Sequence, residues 1–207
     1  YSAIITLAEG VPVYINTSID NDFKPSVEQL KSTITKNTKA IIFSSPCNPT
    51  GTVFSREDLK KYRDILVDYP DIVIISDEIY EHINFTNEHC SFRSLDGMSD
   101  RTITMNGFSK AFAMTGWRLG YIGAPKGIAK SINKMQGQTT SANCSIAQRA
   151  GLAALRAGND CAIEMKKSYL KRRDLVFDKL NKTSNIKVNL PEGAFYFFPE
   201  IDNILGK

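Results

Sequence analysis

The sequence predicts an α/β domain built on a mostly parallel sheet, and three observations support this. Short apolar stretches alternate with longer amphipathic ones, which is the pattern of strands joined by crossover helices. Residues 72–75 are apolar without polar alternation, as expected of a parallel strand covered on both faces. The 207 residues are 42% hydrophobic and 23% charged, a composition typical of a globular protein with a sizeable core.

The strands and helices are predicted from the spacing of apolar residues and from the prolines and capping residues at their ends. We predict strands at residues 11–15, 40–43, 72–75, 102–105 and 121–123, with the first at an edge because it contains Pro12. We predict helices at residues 26–33, 55–67, 126–135, 145–155 and 160–180. Ser55 followed by Asp58 is a weak capping-box variant, and a proline precedes each of the helices at 26 and 126.

A change of pattern near residue 160 predicts a domain boundary. Gly158 and Asn159 separate two helices, the second long and rich in lysine and arginine. After it, a turn at residues 191–193 leads to an aromatic strand predicted at 194–198. We therefore expect residues 1–160 to form part of a large domain, and residues 161–207 to form a long helix and the start of a small α/β domain.

Charge and hydropathy exclude several functional classes. The 26 basic and 22 acidic residues are interspersed, and the densest basic stretch, residues 166–173, is interpreted as a solvated helix face rather than a nucleic-acid patch. No apolar run is long enough to span a bilayer. We therefore expect no nucleic-acid and no membrane partner.

The cysteines and histidines indicate a reducing compartment without a metal site. The four cysteines are widely spaced and contain no C-x-x-C pair, which favours free thiols in the cytoplasm. His82, His89 and Cys90 are the only metal-like cluster, and it has fewer ligands than a zinc site needs. We interpret these three as surface residues.

Polar residues that follow the buried strands are the candidate functional residues, because ligands of open α/β sheets bind at the carboxyl ends of strands. Asn48 lies in a turn after the strand at 40–43, and Asp77 and Tyr80 follow the strand at 72–75. Lys110 and Arg118 follow the strand at 102–105. Each has a plain structural explanation alone, as a turn, a cap or a surface charge, but together they offer an amide, an acid, a phenol, an amine and a guanidinium.

Three motifs in this set resemble class I aminotransferases of the type I pyridoxal phosphate-dependent fold. Residues 107–120 match the lysine-attachment signature of that family, and 48–51 (NPTG) and 77–80 (DEIY) are two further hallmarks in the right order. The resemblance extends over nearly the whole chain. It implies a three-layer α/β fold, a homodimer, and a cytoplasmic enzyme that exchanges an amino group between an amino acid and a 2-oxo acid.

The resemblance also implies roles for individual residues. Lys110 would form the Schiff base with pyridoxal phosphate and carry the substrate proton, and Asp77 would hold the proton of the pyridine nitrogen. Tyr80 and Asn48 would donate to the phenolic oxygen of the ring, and Asn48 would also bind the substrate. Arg118 and Ser109 would bind the phosphate. Gly107 stands where some relatives carry a serine, and the Asn48–Pro49 bond is expected to be cis.

Alternatives remain at this point. A pyridoxal phosphate-dependent β-lyase would keep the same residues, as would an aminotransferase-like regulatory domain, whereas a structural α/β domain would bind no cofactor. Family members are roughly twice as long, and no residue here matches the arginine that grips the substrate carboxylate. We therefore expect a fragment, inactive alone, of an enzyme resembling bacterial aspartate aminotransferases.

Overall fold

The computed structural model describes residues 1–86 and 88–205 and shows a four-stranded mixed sheet. The strands are β1 (Ala40–Ser44), β2 (Val73–Asp77), β3 (Thr102–Gly107) and β4 (Gly120–Gly123), in the order β1-β2-β3-β4. The first three run parallel, and β4 pairs antiparallel with β3. The predicted α/β class and mostly parallel sheet are confirmed.

All but the first of the helices in the described residues lie close to where the sequence predicts them. The helices are α1 (Ser2–Leu7), α2 (Val27–Thr33), α3 (Arg56–Leu66), α4 (Lys126–Thr139), α5 (Ser145–Ala157) and α6 (Asp160–Asn181). Ser55 and Asp58 form a reciprocal capping box at the start of α3, because each side chain accepts from the other's backbone amide. Among the described residues, no helix combines the length and the apolar character needed to cross a membrane.

The main core lies between α3 and the sheet. Leu59 and Leu66 of α3 and Ile74 of β2 are almost fully buried and pack with Phe92 and Met98 from the connection between β2 and β3. Burial of such side chains is the principal source of stability. The core therefore fixes the strands from which the polar loops emerge.

Two predicted strands are wrong. Residues 11–15 are irregular, and Val11 and Val13 are largely exposed, with no paired strand among the described residues to satisfy an extended backbone. Residues 194–198 are also irregular, because Ala194 adopts a left-handed φ of 57° and its amide donates to the carbonyl of Ile83 instead of a ladder partner.

The surface interpretation of His89 and Cys90 is also wrong. Cys90 is only 5% exposed and packs in the core beside Phe92, and the His89 side chain is 18% exposed and hydrogen-bonded to Glu78. His82 is half-buried and contacts Glu81. Cys90 is buried because apolar side chains of the core surround it, and His89 is buried because it pairs with the carboxylate of Glu78. Neither contact is apparent from the local sequence.

Candidate active site

The sheet register brings the candidate loops to one edge. Ser44 at the end of β1 aligns with Asp77 at the end of β2, and Asp77 aligns with Met105 of β3. Because β4 is antiparallel, it begins at this same edge, where Gly120 aligns with Gly107. The loops that carry Asn48, Tyr80, Lys110 and Arg118 therefore all start or end at the carboxyl edge of the sheet.

Asp77 is half-buried at this edge and is held by two donors. Its Oδ1 accepts from the backbone amide of Ile79 at 3.2 Å, and its Oδ2 accepts from the Tyr1 hydroxyl at 2.5 Å. Burial, followed by this contact with Asp77, raises the pKa of Tyr1, so the phenol stays protonated and donating. Sequence reasoning did not identify Tyr1, which lies 76 positions from its partner.

Tyr80 lies beside Asp77 and Asn48, as the sequence predicts. It is 3% exposed, and its hydroxyl lies 2.7 Å from the hydroxyl of Tyr196. Burial, then the contact with Tyr196 and the charge of Asp77, raise the pKa of Tyr80, whereas the Asn48 side chain acts in the opposite direction. A phenol, an amide and a carboxylate thus converge at the ends of β1 and β2.

Lys110 faces the same group from the loop after β3. Its Nζ lies 5.6 Å from the ring centroid of Tyr80 and 5.6 Å from that of Phe195. The residue is half-buried, and in the described part of the chain no carboxylate forms an ion pair with it. Aromatic faces attract a cation without consuming its hydrogen-bond donors, so the amine is held in place and remains available.

Ser109 and Arg118 are less closely connected to the other candidate residues than those residues are to one another. Arg118 is exposed, has a left-handed φ of 51°, and donates from Nη1 to the carbonyl of Thr115 at 2.9 Å. Within residues 1–86 and 88–205, no hydrogen bond joins Ser109 or Arg118 to Asp77, Tyr80 or Lys110. Their assignment to phosphate binding stays a prediction.

Gly107 is explained by crowding at the junction of β3 and β4. A Cβ at this position would lie 2.9 Å from both the Cα of Gly120 and the carbonyl oxygen of Leu119. A serine there would require the backbone to shift. The close pairing of β3 with β4 therefore favours glycine at this position.

The turn after β1 supports a distant part of the chain. The Asn48–Pro49 bond is cis, as predicted, and Ser45–Pro46 is cis as well. Gly51 has a φ of 71°, and its carbonyl accepts from the amides of Glu192 and Gly193, both at 2.9 Å. This contact places the segment 191–198 against the site, so Phe195 and Tyr196 join it although sequence reasoning did not assign them a role.

Glu78 is the neighbour of Asp77 but is buried in a separate network. It is 3% exposed and accepts from Ser76 Oγ at 2.9 Å, Ser91 Oγ at 2.7 Å and His89 Nε2 at 2.9 Å. Side chains alternate between the faces of a strand, which explains why adjacent acids enter different surroundings. These contacts tie the loop after β2 back to the sheet.

The chain is similar to aspartate aminotransferases in sequence and in fold. It is 43% identical to the aspartate aminotransferase of Pinus pinaster over 210 residues, covering 100% of this chain and 43% of that protein. It is 45% identical to that of Pyrococcus abyssi, covering 97% of this chain and 52% of that protein. The crystal structure of the aspartate aminotransferase from Rhizobium meliloti superposes with a TM-score of 0.95 at 37% identity, covering 100% of this chain and 52% of that one.

These matches cover at least 97% of this chain but only about half of each relative. The chain spans about half the length of the curated relatives it matches. The sequence profile of the family described as aminotransferase class I and II matches residues 1–205. Since this match includes every strand, helix and loop of the candidate site, the chain belongs to the class I and II aminotransferases.

Proposed function

We propose that the complete protein transfers an amino group between an α-amino acid and a 2-oxo acid with pyridoxal phosphate as cofactor, and that aspartate is an amino donor. The observation that carries this proposal is the placement of the Lys110 amine over Tyr80, beside Asp77. The names of the relatives, aspartate aminotransferases among them, support the reaction and the substrate class. These names favour amino-group transfer over β-elimination.

The residues at the carboxyl edge fit this cofactor by their chemistry. Lys110 supplies an amine that forms no ion pair with the described residues and can serve covalent attachment. Asp77 supplies the carboxylate that a protonated pyridine nitrogen requires. Asn48 and Tyr80 supply donors for a phenolic oxygen. Ser109 and Arg118 supply a hydroxyl and a guanidinium for the phosphate, the guanidinium being suited to a bidentate contact.

The chain's own residues then move the substrate proton. Pyridoxal phosphate, when bound, withdraws electrons from the bonds of the substrate α-carbon. Lys110 Nζ acts as the general base that removes the α-proton and as the acid that returns a proton. A positioned base of this kind contributes about a hundred- to ten-thousandfold in rate. Asp77, held by Tyr1 and by the Ile79 amide, keeps its negative charge at a fixed place.

The partners and the compartment belong to the same proposal. We propose a homodimer in the cytoplasm, supported by free cysteines throughout the described residues and by exposed apolar side chains on and after α1. Ile4 is 69% exposed, Leu7 85% and Val11 84%, and exposed apolar surface of this kind is typical of an interface between chains.

The test is an assay of the complete protein with aspartate and 2-oxoglutarate. We expect formation of the 2-oxo acid of aspartate without release of ammonia, and loss of this activity in Lys110→Ala. Lys134→Ala, a lysine on the exposed helix α4, is the matched control and should retain activity. In a parallel assay with cystathionine, cleavage to homocysteine, pyruvate and ammonia, with no amino-group transfer from aspartate, would instead identify a carbon–sulfur β-lyase and overturn the proposal.

A further inference from the structure

We propose that Tyr196 is a positioning residue for this chemistry: its hydroxyl donates to the Tyr80 oxygen and thereby directs the Tyr80 proton toward the cofactor ring. The inference rests on the proposed function, because it concerns the same site. It adds a residue from the segment 191–198, which none of the three motifs contains.

The segment 191–198 is fixed to the loops of the site by its backbone. The amides of Glu192 and Gly193 both donate to the carbonyl of Gly51, and the amide of Ala194 donates to that of Ile83 at 2.7 Å. A Cβ at Gly193 would lie 2.5 Å from Pro46, so the segment approaches the turn as closely as a glycine permits. The position of Tyr196 is therefore set by the turn that carries Asn48.

The two phenols form a short hydrogen bond inside an aromatic cluster. The hydroxyl oxygens of Tyr80 and Tyr196 are 2.7 Å apart, and the two rings pack edge to face with centroids 5.8 Å apart. Ala194, next but one to Tyr196, is fully buried against Tyr80 and Ile83. Tyr80 is thus held on one side by packing and on the other by the Tyr196 hydroxyl.

The distance allows either hydroxyl to donate, and the raised pKa of Tyr80 is consistent with donation from Tyr80 to Tyr196 in the absence of a ligand. With the cofactor bound, proton counting gives the opposite direction. A phenol has one proton to donate and can also accept. When Tyr80 gives its proton to the phenolic oxygen of the cofactor, the proton between the two tyrosines has to come from Tyr196. A hydrogen bond received by Tyr80 polarises its own O–H and strengthens the bond that it donates.

A stronger bond from Tyr80 lowers the proton affinity of the covalent adduct at Lys110. It withdraws negative charge from the ring oxygen, which weakens the attraction of that oxygen for the neighbouring proton on nitrogen. The titratable groups that face Tyr80 are Asp77 at the end of β2, Lys110 in the loop after β3 and Tyr196 in the segment 191–198. Of these, only Tyr196 acts by donating to the Tyr80 oxygen.

The experiment is an absorbance titration of the complete protein loaded with pyridoxal phosphate, in which the near-visible band of the Lys110 adduct is followed against pH. We expect Tyr196→Phe to raise the midpoint by about half a unit and Tyr80→Phe to raise it by about one unit or more. Tyr169→Phe is the matched control, because Tyr169 stacks on Phe195 with centroids 5.1 Å apart in the same cluster. Its midpoint should equal that of the unmodified protein.

A second replacement separates donation from packing. Replacing Tyr196 with 3-fluorotyrosine provides a stronger donor of nearly the same shape, so the midpoint should move down, opposite to Tyr196→Phe. An unchanged midpoint in both proteins, or equal shifts in Tyr196→Phe and Tyr169→Phe, would overturn the inference while leaving the proposed function intact. A protein that forms no band on Lys110 would overturn the proposed function, and the inference with it.

Discussion

Asp77 and Glu78 are adjacent carboxylates at the end of one strand, yet they meet opposite surroundings. Glu78 is sealed in the interior with three side-chain donors, from Ser76, His89 and Ser91. Asp77 is half-buried at the carboxyl edge of the sheet, where Tyr1 and one backbone amide hold it beside Tyr80. The Glu78 side chain completes the fold, and the Asp77 side chain remains partly accessible at the candidate site.

The difference shows how the surroundings of a carboxylate distinguish a structural role from a proposed role in binding. A fully buried carboxylate is tolerated only when its oxygens are satisfied by the protein, and Glu78 meets this condition. A carboxylate that serves a ligand needs access and a fixed orientation, and Asp77 has both. Exchanging or removing the two side chains should therefore affect different properties of the protein.

The largest expected effect is the loss of activity in Asp77→Asn. The amide keeps the shape of the side chain but removes the negative charge that a protonated pyridine nitrogen requires, so we expect a loss of about a hundred- to a thousandfold in kcat. Steady-state aminotransferase kinetics of the complete protein measure it. Because Asp77 is only half-buried, thermal unfolding should change little. Retained activity would show that another group supplies the charge.

Glu78→Ala should act on stability instead. It leaves the donors of Ser76, Ser91 and His89 without their acceptor, and unfolding by urea should show a loss of about 3 kcal/mol. Glu164→Ala, which breaks an exposed pair with Lys167 on α6, is the control and should cost about 0.5 kcal/mol or less. Equal losses of unfolding free energy in the two variants would show that the buried hydrogen bonds of Glu78 stabilise the protein no more than an exposed ion pair does.

The contrast between these acids also shows what sequence reasoning can predict. The parallel strands β1 to β3 follow from apolar runs, and parallel strands bring their carboxyl ends together, so Asn48, Asp77 and Lys110 were predictable. The partners of these residues were not. Tyr1 contacts Asp77 across 76 positions and Tyr196 contacts Tyr80 across 116, and no local pattern encodes such contacts.

The failed strand predictions have the same origin. Residues 11–15 and 194–198 have apolar or aromatic content suited to strands, but a strand also needs a neighbour in register. The amide of Ala194 finds a single carbonyl in a loop, and Val13 remains 69% exposed. Local propensity therefore predicted the sheet where the partner strands exist, and failed where tertiary contacts replace them.

Tyr1→Phe should produce a smaller effect on the Asp77 side of the comparison. It removes the donor to Oδ2 without removing the charge, and we expect kcat to fall about tenfold, the equivalent of one charge-assisted hydrogen bond. The measurement is kcat alongside KM in the complete protein. Tyr14→Phe is the control, because Tyr14 is 68% exposed and lies outside the site. A kcat that equals that of the control variant would remove Tyr1 from the positioning of Asp77.

Replacement of Glu81, three positions after Glu78, should give the smallest effect, a change in stability that is seen only at acidic pH. The hydrogen bond from His82 at 3.2 Å holds the pKa of Glu81 below its ordinary value of 4.5, although burial acts in the opposite direction. A lowered folded-state pKa contributes stability above pH 4.5 that is lost as the pH falls through the folded value. Glu81→Gln should flatten this acid-side decline by about 1 kcal/mol or less.

Denaturation midpoints measured at intervals from neutral to acidic pH test this prediction. His82→Gln should flatten the same decline, since it removes the other half of the pair. An unchanged pH profile in both variants would contradict the assigned cause.

We propose above all that the amine of Lys110 holds the cofactor and that Asp77 lies beside the ring nitrogen of the cofactor. The most direct test of this proposal is to treat the complete protein with pyridoxal phosphate, reduce it with borohydride and locate the modified residue by peptide mass mapping. We predict a single pyridoxyl group on Lys110, absent from Lys110→Ala. A label spread over several exposed lysines, with none enriched at Lys110, would contradict the account.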